Sequence, residues 1–189
     1  VISPIAALVG AAVPVGWGIL LAGDRLGIQQ SLGILLGMVA VVAVAYVPGV
    51  SIGDHGARGP LSALLAGTGF GLFFVALDAT PAGSGLWPLL GARIAAITIS
   101  GIVARARGRS LAPGGVVRLI GISGAGDVAA NVLFLQATRI GLLSLVSLLS
   151  SLFPVVALLI ARWWLHERLS GLQASGVLAA LVATGLLVV

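Results

Sequence analysis

The sequence predicts an all-α protein, a bundle of seven membrane-spanning helices, and three observations predict it. Apolar residues fill 59% of the 189 positions and charged residues only 8%, whereas a soluble domain carries about a quarter charged residues. Mean hydropathy is +1.21, more apolar surface than a single core of this size can hide, so lipid has to be the solvent. The apolar residues also come in unbroken runs. About 20 residues is what a helix rising about 1.5 Å per residue needs to cross a ~30 Å hydrocarbon layer, and the alternation of a membrane barrel is missing.

The runs place spans at residues 2–22, 28–48, 61–79, 86–104, 116–137, 141–161 and 170–189. Each break carries turn chemistry: "GDRLG" after the first, "PGVSIGDHGARGP" after the second, "TPAGSG" after the third and "RARGRSLAPGG" after the fourth. The pairs Gly33/Gly37 and Gly67/Gly71 are G-x-x-x-G spacings, which let membrane helices approach closely. Arg162, Trp163 and Trp164 close the sixth run as an interface anchor.

One stretch occurs twice. "GDRLGIQQSLGILLGMVAVV" at 23–42 aligns without gaps to "HERLSGLQASGVLAALVATG" at 166–185, which sets Asp24 on Glu167, Arg25 on Arg168, Gln30 on Gln173 and Gly33 on Gly176. The charged cluster around His166 and Glu167 is therefore expected to be a structural corner; a catalytic centre has no reason to be duplicated with its His replaced by Gly23. Five crossings separate the equivalent helices, so the copies face opposite ways across the bilayer, the inverted-repeat arrangement of secondary transporters. On this count residues 1–48 are the last two helices of a first repeat and 61–189 a complete five-helix second repeat. The sequence then predicts about 80 further residues before Val1.

Polar residues inside the spans are the candidate site. An ionised carboxylate at Asp127, near the middle of the fifth span, costs several kcal/mol unless it is paired or hydrated. Ser123, Asp127 and Asn131 recur at i, i+4, i+8 and form one polar stripe, expected to face the bundle interior or a water-filled path. Arg93 lies about two turns inside the fourth span. Measured from the same membrane face, it and Asp127 differ in depth by about 4.5 Å, within reach of an arginine side chain, so the two are expected to neutralise each other. Substrate-binding candidates are thus Asp127, Asn131, Arg93 and Ser123.

Other chemistries find little support. With no Cys and two His, His55 and His166, the chain offers no metal constellation. No cofactor is expected. It has ten Arg and no Lys, so no phosphate-binding loop ending in Gly-Lys. "GISG" at 121–124 has the look of an intramembrane serine protease, but both His fall outside the spans, out of reach of Ser123. No enzymatic activity is expected. A net charge of +5 in such a chain reports loop charge rather than nucleic-acid binding.

"PIAALVGAAVPVGWGILLAGDRL" and "LLSLVSLLSSLFPVVALLIARWWLHERLSGLQASGVLAALVATGLL" resemble the two diagnostic segments of EamA-type proteins of the drug/metabolite transporter superfamily. Pro14 and Pro154 supply the mid-helix proline, Asp24 and Glu167 the acid of the acid-Arg-Leu turn. The resemblance covers the chain as helices four to ten of a ten-helix plan. It implies a multi-pass cell-membrane transporter or exporter of small organic metabolites or drugs, working by alternating access in the lipid bilayer. The alternative is a non-catalytic membrane subunit, completed by a partner chain: a homodimer or the missing N-terminal helices. Orientation stays open. Counting arginines makes the side of the "RARGR" loop cytoplasmic, and the family plan says the reverse.

Overall fold

The computed structural model describes residues 2–46, 58–108, 116–164, 166 and 169–188. Its helices are α1 (Ile2–Trp17, continued by a π-helical turn Gly18–Ala22), α2 (Ile28–Ala45), α3 (Arg58–Asp78), α4 (Trp87–Ala106), α5 (Val117–Ile140), α6 (Leu143–Ser151), α7 (Phe153–Trp164) and α8 (Gly171–Val188). Among the described residues, seven segments are long and apolar enough to cross a membrane: Pro4–Ala22, Ile28–Ala45, Gly59–Asp78, Trp87–Ala106, Val117–Ile140, Leu143–Trp164 and Gly171–Val188. Each lies within a few residues of the span expected. No strand occurs among the described residues. The protein is all-α and polytopic.

The sixth span is continuous in sequence but broken in structure. Pro154 has no N–H to give to Ser150, and its ring crowds that carbonyl. The chain answers with a turn at Leu152, whose N–H donates to the Leu149 carbonyl at 3.2 Å while Val155 donates to Leu152 at 2.9 Å. The span becomes α6 followed by α7. Pro14 leaves α1 unbroken.

The two related corners share a left-handed residue and a glutamine cap among their described residues. Gly23 ends the first span in the left-handed region at φ 80, and its counterpart His166 takes φ 57. Glycine adopts that region freely and an L side chain is strained there. Histidine thus sits at position 166 in spite of the backbone. His166→Gly is expected to raise stability by about 0.5–1 kcal/mol, read as a higher melting temperature in detergent; a lowered one would mean that the imidazole holds the corner. Four residues on, the Gly27 N–H donates to Gln30 Oε1 and the Ser170 N–H to Gln173 Oε1, both at 3.0 Å. These glutamines cap α2 and α8 in the same way. Glu167, Arg168 and His55 lie outside the described residues.

Asp24 has a partner that the sequence did not disclose. The residue before α6 is Leu142, which has no side chain to cap a helix. Asp24 caps it from another part of the chain: its Oδ2 accepts the Ser144 N–H at 2.9 Å and the Ser144 hydroxyl at 2.6 Å. A carboxylate at the positive end of a helix satisfies orphan amides and complements the dipole. Gly18 leaves room for it, since a Cβ there would stand 2.5 Å from Asp24 Oδ2 and 3.0 Å from Ser144 N. Asp24→Ala and Gly18→Ala should each cost about 1–2 kcal/mol. Because both destroy one contact, the double variant should cost little more than either single one. Additive losses in thermal denaturation would show that Gly18 is needed for something else.

The chain forms two compact units, residues 1–76 with 141–189, and residues 77–140. In the first, α2 and α8 run antiparallel along a seam of small residues. A Cβ on Gly33 would lie 3.0 Å from Leu187 and 3.1 Å from Leu186; one on Gly176 would lie 2.9 Å from Ala43 and Val44. Buried Ala40, Val41, Val44, Val177 and Ala180 fill the seam, with Leu152 and Val155 beside them. The second G-x-x-x-G pair packs α3 on α1, where Cβ atoms on Gly67 and Gly71 would stand 2.6 Å from the Ala6 carbonyl oxygen and from Val13 Cβ.

The second unit holds α4, α5 and the turn before them. Its helical glycines have none of the close approaches made by Gly33, Gly67, Gly71 and Gly176. A Cβ placed on Gly91, Gly101, Gly121, Gly124 or Gly126 would meet nothing within 4 Å, and much of the apolar surface of both helices is exposed.

Candidate functional site

The second unit places its polar residues from the turn upward. Thr80 ends α3 by donating its hydroxyl to the Leu77 carbonyl at 2.7 Å. Arg139, in the last turn of α5, grips this turn: its guanidinium donates to the Thr80 carbonyl, to Thr80 Oγ1 at 2.7 Å and to the Pro81 carbonyl at 3.2 Å. A cation at the carbonyl end of a helix is doubly favoured, by hydrogen bonds and by the dipole. The clasp ties the Thr80–Pro81 turn to the end of α5. Sequence reasoning misses this role of Arg139; the free carbonyls that a Thr-Pro turn leaves are the signal that points to it.

From Trp87, with Pro88 at the helix start where its missing N–H costs nothing, α4 carries Arg93 to the side of α5. Arg93 Nη2 forms an ion pair with Asp127 Oδ2. Asn131 donates from Nδ2 to the other carboxylate oxygen at 3.3 Å and to the Asp127 carbonyl at 2.7 Å. Both carboxylate oxygens are thereby engaged, and Asn131 is itself buried. The expected pairing of Arg93 with Asp127 is present, although α5 extends to Ile140, beyond the end expected. Partial neutralisation by a guanidinium and an amide is what lets a carboxylate reside at mid-span.

Three of the four candidates therefore meet: Arg93, Asp127 and Asn131. Ser123 joins them by lining the same recess as Asp127, together with Leu119, Ile120 and Gly124, all on α5. Arg93 lines a different space, a groove of about 480 Å³ between α4 and α5 walled by Leu86, Trp87, Leu90, Val128 and Val132. The pair thus stands between an apolar groove and a recess whose polar side chains are Ser123 and Asp127. The polar stripe is not uniformly covered, since Asn131 is buried while the Asp127 side chain is 55% exposed. Among the described residues no three His, Cys, Asp or Glu gather as a metal site.

Seven helices long and apolar enough to cross a membrane among the described residues, with a charged pair inside two of them, define a multi-pass membrane protein. The sequence model of the EamA-like transporter family matches residues 57–189. The chain belongs to that family, a membrane transporter of the drug/metabolite type. No curated protein and no solved structure matches it.

Proposed function

We propose that this chain is a secondary transporter of small organic molecules in the cell membrane, working by alternating access between two inverted repeats, with Arg93, Ser123, Asp127 and Asn131 along the substrate route. The observation that carries the reading is the Arg93–Asp127–Asn131 cluster inside α4 and α5, beside a groove large enough for a small ligand. Ionisable residues within spans mark substrate or ion pathways more often than they mark simple packing.

Supporting the repeats, residues 1–48 and 61–189, are the paired corners and the reciprocal α2–α8 contact. Gly33 meets Leu186 and Leu187, and Gly176 meets Ala43 and Val44; each contact becomes the other when every residue is exchanged for its aligned partner. The family match begins at residue 57, close to the start of the second repeat. Rocking one repeat against the other would open a mid-membrane site to each side in turn.

The absence of Cys makes the test direct. Ser123→Cys should react with a membrane-impermeant thiosulfonate from either side of the bilayer in proteoliposomes, while Leu133→Cys, exposed on the same helix, should not react. Labelling of residue 123 from one side only would sink alternating access, and no labelling would remove Ser123 from any aqueous route.

The open space beside the glycines of α4 and α5 favours a second reading, in which these helices pack on a partner, a second copy or further helices. A disulfide-linked dimer of Gly124→Cys in membranes would support the second copy.

A further inference from the structure

Resting on the transport reading, we propose that the groove between α4 and α5 takes an amphipathic organic anion, whose acidic group binds Arg93 in exchange for Asp127. The groove has one charged side chain in a largely apolar wall, and it is cationic: Arg93, among Trp87, Leu90, Val128 and Val132. Its volume of about 480 Å³ lies in the range of small-molecule sites. The flat indole of Trp87 and the branched side chains opposite suit an aromatic or aliphatic body, and the guanidinium suits a carboxylate.

The guanidinium also has capacity to spare. Its Nη2 meets Asp127, but its Nε is buried and has no acceptor among the described residues. A buried donor without an acceptor carries a desolvation cost, which an entering carboxylate would relieve once release from Asp127 lets the guanidinium turn its Nε toward the groove. Guanidinium and carboxylate geometries match through two parallel bonds, so an incoming acid competes with Asp127 on equal terms. A cation would meet the positive face of Arg93 in the groove. Its only attractive group, Asp127, lines the other recess, whose five residues all lie on α5, and one helix face cannot enclose a ligand.

The test uses matched probes on purified protein in mild detergent: 3-phenylpropionate and 3-phenylpropylamine, which share a hydrocarbon body and differ in charge, each measured by equilibrium dialysis. The acid should bind at least about tenfold more tightly than the amine. Asp127→Asn, which removes the competitor's charge, should tighten the acid severalfold. The double variant Arg93→Leu/Asp127→Leu leaves no lone charge and should lose the preference. Equal or tighter binding of the amine, weaker acid binding by Asp127→Asn, a preference retained in the double variant, or saturable binding of neither probe would each overturn the proposal. Anion preference without two-sided labelling at residue 123 would leave the anion site standing and remove the transport mechanism; the converse would do the opposite.

Discussion

Arg93→Leu is expected to lower the stability of the folded protein by about 2–3 kcal/mol, the scale on which a charge at the middle of a spanning helix is penalised. The variant leaves Asp127 with the Asn131 amide as its remaining partner. Asp127 lies about midway along the 24 residues of α5 and its side chain is too short to reach either membrane surface. Asp127→Leu should be milder. Arg93 is near the start of α4, so its long side chain can turn toward the interface and carry its charge out of the hydrocarbon. Removing both charges should recover most of the loss, because the dominant cost is the uncompensated partner rather than the pair itself. Folded yield against temperature, followed by size-exclusion chromatography in mild detergent, measures all three. A double variant no better than the worse single one would show that the pair contributes nothing to folding.

Gly176→Ala should be the most damaging of the single-methyl substitutions in the α2–α8 seam. The new carbon would stand 2.9 Å from Ala43 Cβ and from Val44 Cγ2, and 3.0 Å from the Val44 backbone nitrogen. Two of these atoms are backbone or one bond from it, so a rotamer change cannot relieve the clash and the helices must separate. Overpacking of this kind costs about 1–3 kcal/mol. Gly33→Ala meets the flexible ends of Leu187 at 3.0 Å and Leu186 Cβ at 3.1 Å, and should be tolerated better. Gly185→Ala, on the same helix with nothing within 4 Å, is the control, expected to be neutral or slightly stabilising because alanine favours helix over glycine. Melting temperatures of the three variants give the ranking; a Gly185 variant as damaged as the Gly176 one would mean that the loss is not a matter of helix contact.

The seven spans could be read from the sequence, because a helix satisfies its own backbone in lipid and needs only continuous apolar length. The sequence also showed the likeness of the stretches at 23–30 and 166–173, where the same glutamine cap calls for Gln30 and Gln173, although Gly23 and His166 answer the left-handed position with different residues. Even the Arg93–Asp127 pair was legible, as helix rise converts sequence position into depth. The family, too, was suggested by local patterns; of the two segments that carried the resemblance, the one around Pro154 lies within the matched residues 57–189. Only the tertiary structure decided what these residues touch. That Asp24 caps α6, that Arg139 holds the Thr80–Pro81 turn, and that Arg93 and Asp127 open onto different spaces all depend on side chains from distant positions meeting. Periodicity along one helix gives a residue's face and depth, but it carries no information about which other helix that face meets.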